Sequence, residues 1–123
     1  MPKPTLAVVE DNADDRLLLQ ALLAGEFEIV EYENGREALA GFARSLPDLV
    51  LLDISLPGMD GLEVLSELRR DGRMRHLPVI ALTAHAMAGD RERYLAAGFN
   101  DYVTKPTDES LLLASIRRWL AGG

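Results

Sequence analysis

Cysteine is absent from the 123 residues. That excludes a disulfide framework, a thiolate metal site and a cysteine nucleophile, and it fits a reducing compartment. No apolar run approaches the ~20 residues of a membrane-spanning helix. The opening "MPKPTLAVVE" also lacks the charged, then apolar, then small-residue order of a secretory leader. Positive charge is scarce: 13 Lys and Arg stand against 20 Asp and Glu, a formal charge of −7. Phosphate backbones are held by clustered Lys and Arg, so no nucleic-acid surface is expected. The one basic cluster, Arg69, Arg70, Arg73 and Arg75, reads as a solvated helix end. Long linkers, low-complexity segments and short-period repeats are missing too. A cytoplasmic protein with neither membrane nor nucleic-acid contact is the expectation.

What is present alternates. Short β-rich apolar runs occur at "TLAVVE", "FEIVEY", "DLVLLD", "PVIALT" and "FNDYVT". Between them lie stretches with helical spacing: Leu18/Leu22, Leu39/Phe42/Ala43/Leu46, Leu62/Leu65/Leu68, Met87/Tyr94/Leu95 and Leu112/Ile116/Trp119. Asn34 precedes Glu37 by three residues, as Asp60 precedes Glu63, the spacing of a cap and its N3 carboxylate. Thr107 is expected to open the last helix, with Asp108 and Glu109 in its first turn and Arg117 and Arg118 near its end. Gly25 and Gly98 follow helical stretches, where a left-handed C-terminal residue is wanted. With 48% hydrophobic residues the length suits one domain over residues 1–123. Five strands alternating with five helices make an α/β fold with a parallel sheet covered on both faces.

Right-handed crossovers bring the C-terminal ends of parallel strands to one edge, where ligands bind. Glu10 and Asp11 end the first strand, Asp53 the third and Thr83 the fourth, while the fifth runs through Tyr102 toward Lys105. Singly, each residue has a structural explanation: a turn, a helix-dipole complement, a hydroxyl on backbone, a solvated lysine, a packed ring. Together at one edge they form a constellation. If the first and third strands are neighbours, three carboxylates converge and repel, and Lys105 offsets only one. A divalent cation is the natural remedy, and oxygen-only ligands point to Mg²⁺.

The segments "VVEDNADD", "DLVLLDISLPGMDGLEVL", "PVIALTAHA" and "AAGFNDYVTKP", with the closing amphipathic helix, resemble the receiver domain of two-component response regulators over essentially the whole chain. The resemblance implies a flavodoxin-like (βα)5 three-layer sandwich with strand order 2-1-3-4-5. It implies that Asp53 accepts a phosphoryl group from a histidine kinase or a histidine phosphotransfer protein. Asp11, Asp53 and the carbonyl of Ser55 then resemble the Mg²⁺ ligands, with Glu10 acting through water. Lys105 resembles the cation that pairs with the carboxylate and then the phosphoryl group, before a cis bond to Pro106. Thr83 resembles the hydroxyl donor to a phosphoryl oxygen, and Tyr102 the aromatic that changes rotamer with it. The resemblance also implies a domain that assists its own phosphorylation and dephosphorylation and is otherwise no enzyme. Its downstream target is a protein the sequence does not name. "ALTAHAMAGDRERYLAAGFNDYVTKP" looks most like single-domain and hybrid-kinase receivers, so a stand-alone protein and a piece of a larger regulator both remain open.

Other classes compete. A phosphatase of the haloacid-dehalogenase kind also carries a nucleophilic Asp after a buried strand, but wants a second acid where this chain has Ser55. An FMN carrier needs a phosphate loop that "EDNADD" would repel, and a non-phosphorylated adaptor would not need the acids, Thr83 and Lys105. Walker and dinucleotide glycine motifs are lacking, so ATP is not the expected direct donor. The stretch "AMAGDRERYLAAG", with Gly89 mid-span, reads as a weakly held helix that moves with the loop at 83–85. Leu17-Leu18-Leu19 and Leu111-Leu112-Leu113 each sweep about 200° of a helix, wider than a core-facing stripe of ~100°. At least one leucine of each is expected on the surface; the resemblance implies that the first helix and the loop before the last one face the phosphodonor.

Overall fold

The uninterrupted apolar runs of the sequence become the middle of a five-stranded parallel sheet in the order β2-β1-β3-β4-β5. The computed structural model describes residues 3–84 and 87–122. In chain order the elements are β1 (Thr5–Val9), α1 (Ala13–Leu23), β2 (Glu28–Tyr32), α2 (Gly35–Arg44) and β3 (Leu49–Asp53). They continue with α3 (Gly61–Arg70), β4 (Val79–Thr83), α4 (Asp90–Ala97), β5 (Asp101–Thr104) and α5 (Glu109–Leu120). Every residue of β3 and β4 is buried, as strands covered on two faces require. Side chains alternate between two cores. Ala7, Val9, Val50 and Leu52 meet Phe42 of α2, Val64 and Leu68 of α3 and Tyr94 of α4. Leu6, Val8, Leu49 and Leu51 meet Leu19 and Leu23 of α1 and Leu112 and Ile116 of α5.

Several helix signals read from the sequence are realised. The Asn34 side chain accepts from the Glu37 amide, and Asp60 with Glu63 forms a full capping box. Gly98 ends α4 at φ 118°, a left-handed conformation that disfavours a Cβ. Other expectations change. Asp108, not Thr107, caps α5, accepting from the Leu111 amide. Gly25 is not left-handed; Ala24 in right-handed geometry closes α1 instead. Gly89 lies at the N-cap of α4, at φ 87°, so the helix is shorter than its sequence pattern and leaves Met87 exposed outside it. In α1 the core positions are Leu19 and Leu23, while Leu17 and Leu18 are exposed, so the stripe is one residue later than its predicted Leu18/Leu22 spacing. Of the second triplet Leu111 is exposed and Leu112 buried. Leu46 and Leu62 are exposed as well.

The basic cluster is the largest departure. Arg69 is half-buried and its guanidinium donates to the carbonyls of Gly98 (2.9 and 3.0 Å), Leu77 (2.8 Å) and Arg75 (3.1 Å) and to Asn100 Oδ1 (3.0 Å). Arg73 donates to the carbonyls of Phe42 and Ala43 at the end of α2. A planar five-donor group suits such carbonyl clusters. Burial lowers the Arg69 pKa from its ordinary value. Arg69→Ala is expected to cost about 2–3 kcal/mol in urea unfolding, because charged hydrogen bonds are lost and carbonyls are left unpaired. Arg69→Lys should restore less than half.

Candidate functional site

β1 and β3 are hydrogen-bonded neighbours, with Val9 opposite Leu52, so their C-terminal ends open side by side. Glu10, just past β1, is fully buried, and Asp53 at the tip of β3 is 4% exposed. Asp11, the next residue, is exposed. One carboxylate oxygen from each of Glu10, Asp11 and Asp53 lies within 4.8 Å of the others. The local chain holds them there. The Glu10 amide donates to Tyr32 O, its Oε2 accepts from the Asn12 amide, and Asn12 in turn caps α1 through the Asp15 amide. The Ser55 amide donates to Asp53 Oδ1 at 2.9 Å. Past Pro57 and Gly58 the loop returns so closely that a Cβ on Gly61 would lie 2.5 Å from the Asp53 carbonyl oxygen. Only glycine admits that approach.

Lys105 reaches the acids from the end of β5, after which the Lys105–Pro106 peptide is cis. Its backbone amide donates to Thr83 O at 2.7 Å, tying it to the end of β4. Its ammonium lies 2.5 Å from Glu10 Oε1, 3.1 Å from Asp15 Oδ2 and 3.2 Å from Asp53 Oδ2. Its three donors thus meet three carboxylates, of which Glu10 and Asp53 belong to the convergent acids, while its single positive charge still offsets only one of them. Burial alone would depress its pKa, but the bonds to Glu10 and Asp15 and the charges of Asp53 and Glu10 outweigh this and hold it well above the ordinary lysine value. Burial, followed by the hydrogen-bonding Asp53 carboxyl, pushes Glu10 up to about 7 despite Lys105.

Thr83 is buried at the end of β4, one position beyond Leu82, the residue opposite Asp53. Tyr102 is partly buried in β5, its ring centroid 5.8 Å from that of Tyr94 on α4. Asp101 beside it accepts from Ser115 Oγ at 2.7 Å and from the Trp119 indole at 3.3 Å. The loop expectation at 83–85 includes His85, which with Ala86 lies outside the described residues. Sequence reasoning missed two residues. Asp15, read only as part of an acidic stretch, sits one helical turn from Asp11 and bonds Lys105. Arg16 donates to the carbonyls of Glu10 (2.8 Å) and Asp11 (3.0 Å) and pairs with Glu33 at 3.5 Å, bracing the acidic turn. An arginine five residues after the acids was the signal for it.

Residues 6–117 match the family model described as "Response regulator receiver domain". The chain belongs to this family. It is a receiver domain of two-component signalling, and five parallel strands in the order 2-1-3-4-5 with five helices are its fold. The polar-differentiation response regulator DivK of Brucella anthropi is 38% identical over 120 residues, 98% of both chains. Response regulator PleD of Caulobacter vibrioides is 43% identical over 113 residues, 91% of this chain and 25% of that protein. The chain thus spans a quarter of one relative and nearly the whole of the other. Among solved structures, the receiver domain of sensor histidine kinase PA1611 from Pseudomonas aeruginosa, with a magnesium ion coordinated in its active site cleft, superposes with a TM-score of 0.89. It is 34% identical and covers 98% of this chain and 99% of that one. A second match comes from the co-crystal of the Saccharomyces cerevisiae histidine phosphotransfer signaling protein Ypd1 with the receiver domain of its downstream response regulator Ssk1. There the TM-score is 0.87, with 27% identity over 98% of this chain and 90% of that one. No helix among the described residues is long and apolar enough to cross a membrane.

The raised Glu10 pKa has a sign. Between the unfolded value near 4.5 and about 7 the folded state holds a proton that the unfolded chain has released. This contribution is fully present below about 4.5 and lost as the pH rises through 7. Metal-free protein is expected to show a falling melting temperature between about pH 5 and about pH 7.5, and Glu10→Gln should flatten that fall; parallel pH profiles would refute the assignment.

Proposed function

We propose that this receiver takes a phosphoryl group on Asp53 in a Mg²⁺-assisted reaction and changes its protein contacts in response. The observation that carries the reading is the ammonium of Lys105 beside the Asp53 carboxylate, within an acid cluster of cation-binding dimensions. The donor set fits Mg²⁺: all ligands are oxygens, one acid is exposed, and no His or Cys is among them. Glu10, Asp11 and Asp53 would hold it, with Glu10 acting through water and the Ser55 carbonyl as a further ligand. The cation supplies charge neutralisation for the phosphoryl oxygens.

The chain's own residues do the rest. An Asp53 carboxylate oxygen forms the new bond to phosphorus while the phosphorus–nitrogen bond of a phosphohistidine breaks, its electron pair staying on the imidazole. Lys105 faces the growing charge, and the rigid tip of β3 fixes the line of attack. Thr83 supplies its hydroxyl to a phosphoryl oxygen, and Tyr102 follows it, passing the change to α4 and the face around β5. The donor is a histidine kinase or a histidine phosphotransfer protein in the cytoplasm, a reading supported by the Ypd1–Ssk1 pairing of a structural neighbour. Exposed Leu17 and Leu18 on α1 and the small depression where Leu18 meets Pro106 and Thr107 suit its docking. The domain spans residues 1–123 and acts as a phosphoacceptor rather than a turnover enzyme. The phosphatase alternative is disfavoured by Ser55, which offers an amide to Asp53 where a second acid would be needed.

Intact-mass measurement after incubation with Mg²⁺ and a small acyl phosphate should show one added phosphoryl group, absent in Asp53→Ala and after chelation. Lys105→Ala should slow its appearance about a hundredfold. Addition to Asp53→Ala at the wild-type rate would sink the proposal, and release of inorganic phosphate from a monoester over many turnovers would favour the phosphatase.

A further inference from the structure

Of the three acids that would hold Mg²⁺, two are anchored by several bonds and one is not. Glu10 is fixed by its amide, which donates to Tyr32 O, by the Asn12 amide on Oε2 and by Lys105 on Oε1. Asp53 is fixed by the Ser55 amide on Oδ1 and by Lys105 on Oδ2. Asp11 is exposed and lies between β1 and the Asn12 cap of α1, in neither element. Among the described residues its one hydrogen bond is at its carbonyl, which accepts from Arg16 at 3.0 Å. The same guanidinium nitrogen donates to Glu10 O at 2.8 Å and so ties the two successive carbonyls together. The Arg16 side chain is 15% exposed, and its second terminal nitrogen pairs with Glu33, beyond β2, at 3.5 Å. The exposed acid of the site thus takes its position from a largely buried arginine one turn into α1.

Resting on the Mg²⁺-assisted reading, we propose that Arg16 is a positioning residue that holds Asp11 in place for a small dication, strengthening the site for Mg²⁺ and favouring it over Ca²⁺. The effect runs against the charge of Arg16 itself. A fixed cation beside the acids repels an incoming one, so by charge alone Arg16 is a hindrance, part of which Glu33 cancels. Geometry works the other way. A partner that orients a ligating residue commonly contributes about tenfold or more to metal affinity, because the ligand is already in place when the ion arrives. The size of this gain depends on the ion. Mg²⁺ demands near-octahedral oxygens at about 2.1 Å, whereas Ca²⁺ accepts about six to eight oxygens in a flexible shell. A loosened Asp11 therefore penalises Mg²⁺ more than Ca²⁺. Arg16 touches neither ion nor phosphorus; it acts through the backbone of Asp11.

The test is calorimetric titration of the unphosphorylated protein with Mg²⁺ and, separately, with Ca²⁺. The proteins are wild type, Arg16→Met, Arg16→Lys and Arg44→Met. Arg44 is exposed in the last turn of α2, so its variant removes an equal charge at the far edge of the sheet and serves as the control. Arg16→Met is expected to weaken Mg²⁺ binding about tenfold and Ca²⁺ binding less than about threefold. Arg16→Lys keeps the charge without the reach and planarity of a guanidinium. It should weaken Mg²⁺ binding about threefold and leave Ca²⁺ binding within about twofold of wild type. Arg44→Met should match wild type for both ions. Mg²⁺ binding by Arg16→Met as tight as wild type or tighter, or a parallel change for the two ions, overturns the inference while leaving phosphorylation of Asp53 intact. Should Arg16→Met fail to fold by circular dichroism, Arg16→Lys decides alone, and a wild-type ratio of Mg²⁺ to Ca²⁺ affinity overturns the inference. Wild type that takes up no Mg²⁺ overturns the Mg²⁺-assisted reading and this inference with it.

Discussion

An ammonium wedged among carboxylates is the constraint around which the rest of this molecule is arranged. Acids brought together at the end of buried strands repel one another in a medium that screens poorly, and none of them can move away, because each is fixed by backbone it shares with a strand. Lys105 relieves part of that repulsion, yet burial above all, with the neighbouring Asp53 carboxyl, still holds Glu10 above its ordinary value. A site in this condition gains by taking up more positive charge. The capacity to attract a cation is therefore a property of the resting protein, built from burial and strand order before any ligand arrives.

The sheet supplies the rigidity this needs. β3 and β4 are buried throughout, so the Asp53 tip inherits its position from two layers of packed side chains. Gly61 brings α3 back against the end of β3 without the bulk of a Cβ, while Arg16 braces the acidic turn by its carbonyls. Farther out, Arg69 joins the end of α3 to the end of α4 and to Asn100 ahead of β5. The acids are thus held by backbone and by arginines bonded to backbone, and only their side chains are free to respond.

What the sequence made legible follows from the range of the interactions involved. Continuous apolar runs mark strands buried on both sides because that signal is local, and strand ends then fall on one edge by the handedness of the crossovers. Glu10, Asp11, Asp53, Thr83 and Lys105 could be placed at that edge without coordinates. Arg69 could not be placed, since most of its partners are backbone carbonyls 6 to 29 residues away, and carbonyls carry no sequence signature. Asp15 was hidden for a related reason: its tie to Lys105 spans 90 residues, and in sequence it is one acid among several before a helix. The phase of α1 was misjudged because a run of leucines offers two stripes one residue apart, and only packing against β1 chooses Leu19 over Leu18. Gly89 was read inside a helix because composition alone does not distinguish a weak helical turn from a left-handed start.

The two margins of the sheet differ in how they meet solvent. β2 leaves one row of amides and carbonyls unpaired by any neighbouring strand and sets the exposed Glu28 and Glu31 along it, with Glu33 just beyond. β5 on the other side is four residues long and runs into Pro106 soon after. Two molecules approaching rim to rim along β2 would bring glutamates against glutamates, and along β5 they would find too short a template to add a strand. Growth of the sheet by accretion is discouraged at both borders, so crowding this protein at high concentration should leave its β-structure confined within each molecule.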